Sequence, residues 1–174
     1  MQFSCKNRFR GLSATSLCGW PGILAVAVLA LDQFSKWLVC RVWPQPGSGE
    51  VIVVPGFFRL VHWRNLGAAW GIFAEHTWLL ALGSALALAV LVVFFNFFTE
   101  GKARLALPFG VLIGGIAGNL VDRAFFKEGV VDFIRFDFWP AFNVADSAIC
   151  CSVIFLVISE LCCGRRRKNG DVCK

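Results

Sequence analysis

The stretch VVDFIRFDFWPAFNVAD, residues 130–146, places three aspartates in one short, aromatic-rich connection, and the last of them opens a run of nearly pure hydrocarbon side chains. Two carboxylates that share a site cannot both ionise comfortably, so one keeps a proton near neutral pH while the other remains a base. Such a pair can take a proton from water as it attacks a carbonyl carbon, hydrogen-bond to the carbonyl oxygen, and help an amine to leave. Other polar residues recur at spacings that share one helix face. Asp32 and Lys36 lie at i, i+4; Asn119, Asp122 and Arg123 at i, i+3 and i+4; Asn143 and Asp146 at i, i+3. Rival hydrolytic machinery is missing: there is no HExxH, His62 and His76 are the two histidines, and Ser35 and Lys36 are adjacent, so their side chains diverge on a helix. The eight cysteines contain no CxxC, which leaves no ligand set for a metal and makes them small apolar fillers.

Each polar residue also has a purely structural reading. Asp122 and Arg123 could be an interfacial ion pair, Asn143 a helix cap after Pro140, and Asp146 a first-turn acid stabilised by the helix end. Their common position argues for more. An ionisable side chain within a membrane span costs about 2.5–3.5 kcal/mol and needs a partner or a watery cavity. Counted from the membrane ends, Asp32, Asp122, Asp132 and Asp146 can converge on one site.

The elements that must position them are membrane helices. Of 174 residues, 57% are hydrophobic and 16% charged, a composition for burial in lipid rather than around a water-soluble core. About 20 apolar residues cross the hydrocarbon as a helix, and four stretches qualify, with spans expected at about 22–42, 78–98, 105–122 and 144–163. Basic residues stay cytoplasmic. Lys6, Arg8 and Arg10, then Lys102 and Arg104, then Arg165–Lys168 all fall on one side of this arrangement, which puts both termini in the cytoplasm. The same clusters and anionic lipid account for the net charge of +6, so nucleic acid is not an expected partner. The N-terminus has the charge pattern of a secretory signal, but no Ala-x-Ala-like site follows residue 31, and an uncleaved first span is expected. Leu38-Val39-Cys40 is a poor lipidation site because Val39 is too large.

Two segments then face the exterior, about 43–77 and 124–142. The first carries VIVV and FFRLVHW around Pro55-Gly56, the punctuation of a small hairpin or sheet. Trp43, Trp63, Trp70, Trp78 and Trp139 gather on this side, either as an interfacial belt or as part of a flap over a site that opens sideways into lipid. Gly110, Gly114 and Gly118 form a GxxxGxxxG stripe, which lets a neighbouring helix approach closely; self-association through it is the alternative.

Five blocks, LDQFSK at 31–36, NLGAAWGIF at 65–73, GGIAGNLVDR at 114–123, VVDF at 130–133 and FNVADSAI at 142–149, together resemble the lipoprotein signal peptidase (signal peptidase II) family. The resemblance implies an all-α integral membrane protein, a single polytopic domain of four transmembrane helices with a small extracytoplasmic β-cradle, in the bacterial inner membrane. It implies an aspartyl endopeptidase that needs no cofactor and cuts diacylglyceryl-modified prolipoproteins just before the lipidated cysteine. The family's catalytic pair falls on Asp132 and Asp146. Its supporting and substrate-binding residues fall on Asp32, Lys36, Asn65, Asn119, Asp122, Arg123 and Asn143. Asp122 rivals Asp132 for the catalytic place; Asp132 is preferred because an aspartate beside an arginine is more readily held ionised. Asp137 has no counterpart and reads as a surface charge. The link from Asp132 to Asp146 is a few residues shorter than is common in the family. A monomer suffices, since every inferred part lies on one chain. A small ion or proton transporter and a scaffold subunit are the rival classes; the first lacks a charged relay to the cytoplasmic side, and the second would tolerate neutral substitution of the aspartates.

Overall fold

The computed structural model describes residues 16–67, 72–73 and 76–168, with side chains as far as Cys162. Lys6, Arg8, Arg10, Trp70 and the AAWG part of the second block lie outside the described residues, as do the side chains of Arg165–Lys168. The elements run α1 (Trp20–Val42), β1 (Glu50–Val54), β2 (Phe58–Asn65), α2 (Thr77–Val93), α3 (Phe95–Thr99), α4 (Ala103–Phe125), β3 (Val130–Phe136), β4 (Trp139–Phe142) and α5 (Val144–Lys168).

Among the described residues, three helices are long and apolar enough to cross a membrane: α1, α4 and the Val144–Cys162 part of α5. The expected span at 78–98 is not one helix. It breaks at Phe94, which leaves helical geometry at φ −98° and ψ 15°, and restarts as the short α3. The sequence there, VVFFNFF, stacks β-branched and aromatic residues, whose side chains lose rotamer freedom against the preceding helical turn. The apolar α2 buries none of its residues within the chain, and Leu82, Leu86 and Val93 point outward, as lipid-facing side chains do.

α4 is the central helix, packed between α1 and α5. The glycine stripe explains how closely α1 lies. A Cβ on Gly110 would sit 2.2 Å from the Pro21 carbonyl oxygen, and one on Gly114 2.4 Å from that of Ala25. The adjoining face of α4 does the same for α5, where a Cβ on Gly115 would come 2.7 Å from the Ala145 oxygen. The stripe is therefore consumed by packing inside the chain.

The chain is not purely α-helical. β1 to β4 form one antiparallel sheet in sequence order, built from both exterior segments. The hairpin legible at Pro55-Gly56 is β1–β2, while β3 and β4 come from the aspartate-rich connection itself. Phe136 gathers Phe57, Phe58, Phe138 and Phe142 around it, with ring centroids 5.2–6.0 Å apart. His62, buried on β2, ties the sheet to the end of α1: its Nδ1 donates to the Trp43 carbonyl at 2.6 Å. Gly129, at φ 84°, makes the entry to β3 possible, because any Cβ there would lie 2.5 Å from the Asn65 carbonyl oxygen.

Candidate active site

The N-terminus of α5 organises the site. Asn143 is the cap residue: its Oδ1 accepts from the Asp146 N–H at 2.9 Å, and Asp146 Oδ2 accepts in return from the Asn143 N–H at 3.2 Å. This is a reciprocal capping box with Asn and Asp in the two roles. The intervening Ala145 N–H is satisfied from another helix, donating to Asp32 Oδ1 at 2.8 Å. Asp32 thus fastens α1 to the start of α5.

Asp132 arrives from β3. The β2–β3 register pairs Trp63 with Asp132 and Asn65 with Val130, which brings Asn65 Nδ2 to 3.1 Å from Asp132 Oδ2. The other oxygen accepts from Asn143 Nδ2 at 2.7 Å, so the residue that caps Asp146 also holds Asp132. Asn119, from α4, completes the frame: its Nδ2 donates to Asp146 Oδ1 at 2.7 Å and its Oδ1 accepts from Asn143 Nδ2 at 3.1 Å. Asp132 and Asp146 line one cavity of about 300 Å³ with Asn65, Asn119, Arg123 and Trp139. Burial, and then the nearby negative charge of Asp146, push the Asp132 carboxyl up to about 7, against the opposing pull of hydrogen bonds from Asn65 and Asn143. The arrangement can therefore hold one proton between two carboxyl groups near neutral pH, as an acid and a base facing the same space.

Asp122 stands apart from that cavity. Its Oδ2 accepts from Lys36 Nζ at 2.9 Å and from the Val131 N–H at 3.3 Å, and its Oδ1 from Gln33 Nε2 at 2.9 Å. Its ion pair is thus with Lys36 on α1, not with its neighbour Arg123. Lys36 is buried and spends its three donor directions on Asp32 Oδ2 at 2.7 Å, Asp122 and Asn119 Oδ1 at 3.1 Å. Arg123 instead turns toward the dyad cavity and the Gly67 carbonyl, with its Nε buried and without a hydrogen-bond partner among the described residues. All nine expected site residues thus belong to one connected cluster at the sheet end of the bundle. Sequence reasoning missed Gln33, whose Nε2 reaches Asp32, Asp122 and the Gly118 carbonyl within 3.2 Å. Its signal was available, since it interrupts the first apolar span beside Asp32. Asp137 is a surface charge, as expected, paired with Arg59 at 2.6 Å.

The family model described as signal peptidase (SPase) II matches residues 24–162. The chain belongs to the signal peptidase II family. A lipoprotein signal peptidase of Bacillus pumilus (strain SAFR-032) is 36% identical over 152 residues, 85% of this chain and 96% of the relative. Two bacterial membrane enzymes solved by the in meso method are similar in structure. One, at 2.3 Å resolution, has TM-score 0.77 and 28% identity, covering 88% of this chain and 93% of its own. The other, at 1.9 Å, has TM-score 0.70 and 30% identity, covering 81% and 92%. Signal peptidase II enzymes are aspartic proteases that remove signal peptides from prolipoproteins, and this chain is accordingly an aspartic endopeptidase of a bacterial membrane.

Proposed function

We propose that the chain cuts diacylglyceryl-modified prolipoproteins just before the lipidated cysteine, with Asp132 and Asp146 as the catalytic dyad. The observation that carries this reading is the pairing of the two carboxyls on one cavity through a shared Asn143, in a member of an aspartic protease family. Asp132, buried and pushed up to about 7, is suited to enter the reaction protonated, and Asp146 to act as base. Asp146 takes a proton from water as the oxygen bonds to the scissile carbonyl carbon. Asp132 donates its proton to the carbonyl oxygen. Collapse of the tetrahedral intermediate returns that proton to Asp132, breaks the C–N bond and passes the proton held by Asp146 to the departing α-amine of the cysteine.

Asn65, Asn119 and Asn143 hold the dyad; Asp32, Lys36 and Asp122 fix the helices that carry it; Arg123 faces the substrate. Asp122 is a poor rival because both of its oxygens are committed to Lys36, Gln33 and Val131. The reading includes four crossings in one domain, with α2 and α3 as the second, the sheet on the extracytoplasmic side of the inner membrane, both termini in the cytoplasm, and a working monomer. A site at that boundary meets a bond anchored by two acyl chains without pulling lipid into water. Since each buried acyl CH₂ contributes about 0.8 kcal/mol, membrane lipid and the substrate's acyl chains dominate recognition.

The test is processing of a lipidated precursor by purified protein. Asp132→Asn and Asp146→Asn should each lower turnover by about 10²–10⁴-fold while leaving protein levels unchanged. Wild-type turnover in both variants would overturn the dyad.

A further inference from the structure

Beside the dyad cavity lies a second, larger hollow of about 500 Å³, and the two adjoin: both are lined by Asn65, Trp139, Pro140 and Ala141. The outer hollow adds Trp63, Arg135, Asp137 and Phe138. β3 leaves the end of α4 and β4 returns to the start of α5, so this hollow follows the β3–β4 hairpin away from the helices. A chain emerging from the dyad toward the exterior would lie in it.

One of its cations has no acid bonded to it. Arg59 and Arg135 are cross-strand partners, two like charges directly opposite each other. Arg59 bonds both Glu50 at 3.2 Å and Asp137 at 2.6 Å. Asp137, the acid lining the hollow, is thereby spent. Arg135 is exposed and has no acidic partner among the described residues. Trp63 and Trp139, each about half exposed, supply flat apolar surface beside it.

We propose that this groove holds the first residues of the mature chain after the cut, and that Arg135 favours precursors bearing a carboxylate there. The inference rests on the endopeptidase reading and adds a specificity determinant to it. A single guanidinium with no acid bonded to it, beside an arginine already held by two carboxylates, matches one carboxylate better than a phosphate headgroup, which a cluster of cations would serve.

The experiment compares three lipidated precursors, with Glu, Gln or Lys in the positions directly after the cysteine, in nanodiscs of zwitterionic lipid. The readout is the ratio of kcat/KM for the Glu and Lys forms within one enzyme preparation, which cancels differences in folding between variants. The unsubstituted enzyme should favour Glu by about fivefold, the scale of an exposed ion pair, and the preference should contract in roughly 0.5 M salt. Arg135→Gln should bring the ratio close to unity and Arg135→Glu should reverse it. An unchanged ratio in Arg135→Glu overturns the proposal. So does an equal loss for all three precursors that appears only with anionic lipid, which would assign Arg135 to a headgroup. Cleavage of the Gln precursor by the unsubstituted enzyme, lost in Asp146→Asn, checks the endopeptidase reading separately; its failure would sink that reading whatever the ratios.

Discussion

At the scale of single residues, the site is a set of amides and charges whose valences are almost completely used. Asp132 shows what burial does to a carboxyl: its pKa rises from the ordinary 3.8 to about 7. An acid with a raised folded-state pKa binds protons more tightly folded than unfolded, so its contribution to stability is present below about 4 and is lost as pH rises through about 7. Asp132→Asn removes that titration. Between pH 4 and pH 8 the stability of the unsubstituted protein should therefore fall relative to the variant, measured by thermal unfolding in detergent across pH; parallel curves would contradict it. Turnover should also decline above about pH 7, as the acid loses its proton. Lys36 is the counter-case, a cation whose job is neutralisation. Lys36→Met would leave Asp32 and Asp122 buried without a cation and should cost about 3–5 kcal/mol in unfolding measurements. An unaltered melting temperature would show the cluster to be less tightly coupled than its distances indicate.

At the scale of elements, precision comes from helices that touch. The stripe on α4 lets α1 approach until backbone atoms meet glycine Cα atoms, and Gly118 brings Asp32 Oδ2 to 2.6 Å from where a Cβ would be. Gly114→Val should destabilise by about 1–3 kcal/mol, because the obstructing atom is the Ala25 backbone oxygen and cannot rotate away. Gly83→Ala on α2 is the matched control: nothing lies within 4 Å of its Cβ, and stability should hold or rise. Equal effects of the two would mean the stripe is not a packing surface. The pairing of Asp32 with Lys36 and the capping of Asp146 by Asn143 were legible because helix and cap geometry fix the direction of a side chain from its position, whereas the adjacent Asp122 and Arg123 turn to different partners. Asp122 bonding Lys36 instead of Arg123 was not legible, because that contact joins residues on different helices.

At the scale of the whole molecule, an apolar bundle carries a polar knot at one end, under a sheet whose outer side chains, among them Ile52, Phe57, Phe138 and Trp139, remain exposed. The proposed topology places this end outside and the α3–α4 turn inside. Alkaline phosphatase fused after Ser48 should be active, and the same enzyme fused after Gly101 inactive; activity of both or the reverse pattern would refute four crossings. The short connection between Asp132 and Asp146 takes its place here, since β3 and β4 fold it back on itself and let Asn143 hold both ends.

By itself the sequence determined that this chain lives in a membrane, where its helices run to within a few residues, and which side chains are too polar to be there by accident. Composition and helical period are local properties, and lipid enforces them strictly. Tertiary structure alone decided which groups Gln33 bonds, that β3 and β4 complete the sheet, that 78–98 breaks at Phe94, and which aspartates line the cavity. Those outcomes depend on contacts between residues far apart in the chain, whose geometry is set by how closely the helices and the sheet pack and not by the spacing of residues within any one of them.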